Sequence, residues 1–277
     1  MDREKIITIK GEKPGKTVTI LGGVHGNEIC GVRALDTIIP NLKIERGVIH
    51  FIYGNPKAIT LNKRDTGTNL NRMFKDESLL STAEQASYER ARALEIMPFL
   101  KESTASLDIH SSESRESIPF IICEPQSFSI AEKLPFPIRS YGWDSIEPGG
   151  TDYFMNTRGE RGICVECGYN LDPEAPKRAI QSIKIFLSVM GLTDEPIPAP
   201  TQNQQTLRAY FIYHTKNDFV PVRTFADFEE LKTGEVIGTD GSEKIFAPVE
   251  KNVIIFCRKR EEANQEAFIL ARETIYF

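Results

Sequence analysis

The sequence predicts an α/β fold in which helices cover both faces of a largely parallel or mixed sheet, followed by a small β domain. Three observations carry this reading. β-branched runs alternate with helical apolar stripes over residues 16–190, a proline-rich polar stretch occupies 194–205, and short strand-like runs separated by glycine turns follow it.

Residues 16–21 (KTVTIL) and 47–53 (GVIHFIY) are β-branched and aromatic runs bounded by glycine, as strands are. Between them Ile29, Val32, Leu35 and Ile38 recur at helical spacing until Pro40 ends the run. Ser81 with Glu84 forms a capping box, predicting a second helix on which Tyr88, Ala91, Leu94 and Met97 face the core. Strands are expected at 105–109, 118–123 and 162–167. Asp172 as N-cap, then Pro173 and Glu174, open a third helix with Ile180, Ile183, Leu187 and Met190 as its stripe, ended by Gly191.

The stretch Asp194-Glu-Pro-Ile-Pro-Ala-Pro-Thr-Gln-Asn-Gln-Gln205 suits a stiff linker. We therefore divide the chain into a catalytic domain at 1–193, a linker at 194–206 and a small β domain at 207–277. In the last, strands are expected at 207–213, 219–222, 252–257 and 273–276, with turns at Gly234, Gly238 and Asp240-Gly241.

At 277 residues the chain can bury a substantial core without staples. Its net charge of −5 is spread over mixed signs with no basic block, which argues against a nucleic-acid or anionic-membrane partner. The opening MDREK lacks the apolar segment of a signal peptide and no run is long enough to span a bilayer, so a cytoplasmic protein is expected. Five cysteines, an odd number, favour free thiols over a disulfide framework; Cys164 and Cys167 form a CxxC, but in a strand-like segment and without a second pair. Self-association is left open.

The chemistry concentrates in four places. His25 and Glu28 form an HxxE in Gly22-Gly-Val-His-Gly-Asn-Glu28, just past the first strand, and a third ligand is proposed at His110, in Leu107-Asp-Ile-His-Ser-Ser112. Two imidazoles and a carboxylate leave one position of a tetrahedral zinc open for water. Glu166, in Cys164-Val-Glu-Cys-Gly168, is the candidate general base for that water. Open α/β sheets bind ligands beyond the carboxyl ends of their strands, where His25, His110 and Glu166 are all expected. Asp108 is expected on the same strand face as His110, where it could hydrogen-bond that imidazole.

With Asn69-Leu-Asn-Arg-Met-Phe74 and Arg64 seven residues before Asn71, these anchors give a pattern over residues 20–170 that resembles the succinylglutamate desuccinylase and aspartoacylase family, itself related to the zinc carboxypeptidases. The resemblance implies a three-layer zinc-carboxypeptidase-like domain, a C-terminal β domain beside the active site, one Zn2+ per chain and a small N-acyl amino acid as substrate. It also implies that Arg64 lies near the scissile carbonyl, with Asn71 and Arg72 on a substrate carboxylate, for which guanidinium geometry is apt. One departure stands at Asn69, where many relatives carry aspartate; it puts the local support of Arg72 in doubt.

Arg158 and Arg161 are candidates for a second carboxylate contact, whereas His50 and His214 are read as ordinary hydrogen-bonded or surface residues. The activity expected is zinc-dependent hydrolysis of an N-acyl amino acid, succinylglutamate-like or N-acetylaspartate-like. A metallocarboxypeptidase acting on short peptides is the alternative, and a non-catalytic metal-binding protein a more distant one.

Overall fold

The computed structural model describes residues 5–248 and 251–274, so the last residues of the strand expected at 273–276 lie outside them. The strands are β1 (Ile6–Lys10), β2 (Lys13–Gly22), β3 (Arg46–Tyr53), β4 (Ala105–Ser112), β5 (Phe120–Cys123), β6 (Ile138–Tyr141), β7 (Arg161–Tyr169), β8 (Gln205–His214), β9 (Phe219–Pro221), β10 (Glu229–Leu231), β11 (Val236–Asp240), β12 (Glu243–Phe246), β13 (Asn252–Ile255) and β14 (Glu266–Glu273). The helices are α1 (Ile29–Ile38), α2 (Pro56–Leu61), α3 (Thr82–Gln85), α4 (Tyr88–Glu102), α5 (Phe128–Ala131), α6 (Trp143–Ile146), α7 (Thr151–Asn156) and α8 (Ala175–Val189).

One mixed sheet runs in the order β1-β3-β2-β4-β7-β5-β6-β8-β14-β13-β10, and β12-β11-β9 form a separate small sheet. β3, β2, β4 and β7 are mutually parallel, while β5 lies antiparallel to β7. On one face α1 and α8 cover a core that includes Ile20, Leu35, Phe51, Leu107, Val165 and Phe186. On the other, Ala93, Ile96 and Leu100 of α4 and Met155 of α7 pack on Leu21 and Ile52. The result is the three-layer arrangement expected. Beyond residue 204, β8 pairs in parallel with β6, and β14, β13 and β10 continue the same sheet.

Three local readings are corrected. The Ser81/Glu84 capping box forms, but it opens only the four-residue α3; Ser87 then caps α4 through the amide of Arg90 at 3.0 Å. The buried face of α4 is Ala93, Ile96, Met97 and Leu100, whereas Ala91 is exposed and Leu94 is 52% exposed. A strict three-residue spacing drifts about 60° per step around a helix. The true stripe was hidden because Arg90 and Arg92 are buried on it, donating to the carbonyls of Met73, Lys75, Gly54 and Tyr53.

Asp172 accepts the Glu174 amide at 2.9 Å in a turn that leads into α8, so the helix itself starts at Ala175. Gly238 lies inside β11 at a register shift rather than at a turn, while Gly241, at φ +57°, does turn the chain between β11 and β12.

Candidate active site

β2 ends at Gly22, and the chain must turn sharply there to bring His25 and Glu28 back over the sheet edge. Gly23 sits at φ +72°, a left-handed conformation, and a Cβ on Gly26 would fall 2.1 Å from the Ala58 carbonyl carbon. The glycines of this loop therefore let it press onto α2. Glu28 immediately precedes α1, whose Gly31 packs against β2 and β4. His110 and Glu166 come from adjacent parallel strands and are direct register partners near the carboxyl ends of β4 and β7.

His25, Glu28 and His110 converge there and are all buried. Glu28 Oε1 lies 2.9 Å from His25 Nδ1, and Glu28 Oε2 lies 2.9 Å from His110 Nδ1. The two Nδ1 atoms are 3.2 Å apart. His25 Nε2 is held from behind by Asn69 Oδ1 at 3.0 Å, whereas His110 Nε2 lies 3.1 Å from Asp108 Oδ2 as a charge contact, without a hydrogen bond to any described residue. Asp108 in turn accepts the Thr151 hydroxyl at 2.6 Å. The ring nitrogens left over, together with the Glu28 carboxylate, make a group that could hold a metal ion.

Burial, followed by the nearby Arg64 charge, lowers the His25 pKa. Burial also disfavours a charged His110, but Asp108 and Cys164 together outweigh it and the balance is upward. Glu28 is buried too, yet the two imidazoles hold it well below the usual carboxylate range. Glu166 is pushed up to about 8, first by burial and then by Glu28, and its Oε2 has no hydrogen-bond partner among the described residues. Glu166 and Cys164 each offer an atom within 4.8 Å of a ligand atom of His110. Cys164 and Cys167 pack into different cores on opposite sides of the sheet, and all five cysteines are free thiols.

These residues open onto a cavity of ≈ 180 Å3. Arg64 lines it and donates to Glu28 Oε1 at 2.9 Å. Asn71 and Arg72 line it as well, but the Arg72 guanidinium is taken by the protein itself: it donates to Asn71 O at 2.9 Å, to Glu147 and, at 3.1 Å, to Glu266. The support that Asn69 was expected to withhold from Arg72 is thus supplied by these two acids. Asn69 instead holds His25 and accepts the Asn71 amide at 2.9 Å.

Several wall residues were not singled out in the sequence: Trp143, Glu147, Phe256, Arg258, Arg260 and Glu266. They belong to segments with no long periodic pattern, so nothing local marked them. Arg158 and Arg161 do not reach the cavity; Arg161 starts β7, at the end opposite Glu166, and both are exposed. His50 is a buried core histidine paired with Thr8 at 2.9 Å, and His214 is exposed at the end of β8. Among the described residues no helix is long and apolar enough to cross a membrane.

Residues 14–187 match the family model described as the succinylglutamate desuccinylase/aspartoacylase catalytic domain. A succinylglutamate desuccinylase from Shewanella sp. (strain MR-7) is 24% identical, the alignment covering 92% of this chain and 82% of that protein. A probable aspartoacylase from Prochlorococcus marinus (strain MIT 9313) is 28% identical over 56% of this chain and 54% of that protein. The solved structure of a succinylglutamate desuccinylase from Vibrio parahaemolyticus superposes with a TM-score of 0.77 at 18% identity, covering 97% of this chain and 86% of that one.

Proposed function

Because the chain belongs to the succinylglutamate desuccinylase/aspartoacylase family, hydrolases that act on an amide, we propose that it is a zinc-dependent amidohydrolase that splits an N-acyl amino acid into a carboxylic acid and a free amino acid. The observation that carries the metal assignment is the pair of Nδ1 atoms 3.2 Å apart, with the opposite nitrogen of His25 bonded to Asn69 and that of His110 facing Asp108 at 3.1 Å. Two nitrogens bonded to one tetrahedral zinc would stand roughly 3.3 Å from each other, so the donors fit that ion with little movement. His25, Glu28 and His110 would hold it, one per chain. Asn69 and Asp108 would orient the two rings.

A bound zinc supplies Lewis acidity toward an amide carbonyl and toward water near neutral pH. The rest falls to the chain. Glu166 takes a proton from the attacking water and returns it to the leaving amine, a role worth roughly 100- to 10,000-fold. Its unpartnered, buried Oε2 supports this, since an oxygen already committed to the protein could not accept that proton. A divalent cation beside it would also favour its ionised form, reversing the upward push that burial gives.

Arg64 and Asn71 border the same cavity and suit the scissile carbonyl and a polar substrate group. Arg72 can meet a substrate carboxylate only in exchange for Glu147 or Glu266.

The cavity is small, and Phe256, Phe268 and Ile269 close one side of it, which favours a small amide over the end of a polypeptide. A panel of N-acyl amino acids, read by release of free amine from the zinc-loaded enzyme, tests the reading. Release from none of them, with one zinc verified per chain, would sink it.

A further inference from the structure

We propose that Arg258 and Arg260, on the segment between β13 and β14, seat a carboxylate of the substrate, so that this chain selects acidic substrates with arginines from its C-terminal region. The inference rests on the deacylase reading and names a part of the substrate that the reading leaves open.

Four arginines line the cavity, and they differ in how their charge is met. Arg64 is taken by Glu28 and Arg72 by Glu147 and Glu266. Arg260 makes no ion pair among the described residues; its Nε donates to the backbone oxygen of Glu266 at 2.6 Å, and its two terminal nitrogens make no hydrogen bond there. Arg258 makes a loose ion pair with Glu113 at 3.9 Å, lies 5.7 Å from the centre of the Phe256 ring and donates a long 3.5 Å bond to Phe256 O, so its terminal nitrogens make no hydrogen bond among the described residues. Two guanidinium groups are therefore presented to the cavity with their forks open.

Arg260 is a half-buried cation without an ion pair among the described residues, which is costly, and a carboxylate that accepts paired N–H bonds removes the cost. Burial and then Arg258 lower the Arg260 pKa to about 10, as expected of two like charges waiting for an anion. The site is also built in advance. Arg258 N donates to Ala267 O at 3.0 Å, Arg260 N donates to Phe219 O at 2.8 Å, and Phe219 N returns a bond to Arg260 O at 2.9 Å. With the backbone held at both positions, the two side chains line the same cavity. Little ordering cost remains to be met on binding.

The test uses the zinc-loaded chain, with N-acetylaspartate as substrate and succinate as a calorimetric probe. In Arg258→Gln/Arg260→Gln the KM for N-acetylaspartate should rise at least about 10-fold while kcat stays within about 3-fold, and succinate should bind at least about 10-fold more weakly. Arg258→Lys/Arg260→Lys should fall between the two proteins, because an ammonium keeps the charge and loses the fork. It also supplies the readout if the Gln pair does not fold. Unchanged KM and succinate affinity in the folded variants would overturn the proposal. If the parent chain hydrolyses no N-acyl amino acid, the deacylase reading fails by itself. The arginine seat is then judged by succinate alone: at least about 10-fold weaker binding to the variants sustains it, and equal or absent binding to the parent overturns it.

Discussion

Arg72 and Glu266 lie 3.1 Å apart although 194 positions separate them in the chain, and Glu147 closes on the same guanidinium. This contact ties the first residue of β14 to the loop that carries Asn69 and Asn71 beside the imidazoles. Burial pushes Glu147 up to about 7, whereas Glu266, partly buried, is drawn down to about 2 against that burial, chiefly by Arg72.

Arg72→Gln would leave the two carboxylates facing each other without their cation. Removing one member of a buried charge group typically costs 3–5 kcal/mol, and partial exposure of Glu266 reduces this to about 2 kcal/mol here. Without Arg72 the folded state holds protons on these acids more tightly than the unfolded chain does, so the loss should grow as pH rises from 5 to 8. Urea unfolding at both pH values checks it. Equal stability of variant and parent at pH 8 would show that the triad contributes nothing.

Metal content gives the most direct check of the donor set. Elemental analysis should find one zinc per chain, and His110→Ala should lose most of it, since His25 and Glu28 alone make a poor site. Asp108→Ala removes only the group behind the His110 ring and should weaken zinc affinity about 10- to 100-fold with the ligands intact. Undiminished zinc in His110→Ala would remove that residue from the site.

Glu166→Gln keeps the shape of the side chain but cannot take a proton from water. Turnover should fall by roughly 100- to 10,000-fold, with zinc content and melting temperature close to the parent's. A variant with near-normal kcat and full zinc would place the base elsewhere.

Asp144, away from the imidazoles, gives a pH test of its own. Burial first, and then Asp152 and Glu124, raise its pKa to about 7. A carboxyl whose folded pKa exceeds its unfolded value binds its proton better when folded, so stability falls as pH rises from about 4 to 7. Asp144→Asn should remove that loss and be the more stable protein at pH 8, on the order of 1–2 kcal/mol after allowing for partial exposure. The advantage should vanish near pH 4. A constant difference between the two proteins across this range would refute the shift.

Which parts of the site could be read from the sequence follows from how local each signal is. His25 with Glu28, and Asp108 with His110, are short patterns whose geometry follows from a tight turn or from strand alternation, and the strands that carry them are β-branched runs. Arg258, Arg260 and Glu266 reach the cavity because β8 pairs with β6 and β14 then adds to the same sheet. That pairing spans more than sixty residues, and no dipeptide or period announces it. The Asn69 to His25 contact was hidden differently: an amide oxygen that can serve either a ring nitrogen or a nearby backbone amide does both.

The C-terminal residues should also decide what is kept out. Phe256, Arg258, Arg260, Phe268 and Ile269 wall a cavity of ≈ 180 Å3, below the roughly 300–1,000 Å3 usual for drug-sized ligands. A long peptide would have to displace this wall, which is braced by Arg72 and Glu266 and by the pairing of β14 with β8. Deleting the segment is a poor test, because it would bare the edge of β6 and the core around Phe120 and Trp143. The intact chain answers better. Its kcat/KM for an N-acyl amino acid should exceed that for a peptide of six or more residues ending in the same amino acid by at least about 100-fold, because specificity resides in what the wall rejects. Glu266→Gln, which loosens one brace, should narrow that ratio by raising the peptide rate rather than by lowering the other. Should the intact enzyme cleave the peptide as well as the small amide, the wall is no barrier and a carboxypeptidase becomes the better reading of the same metal site.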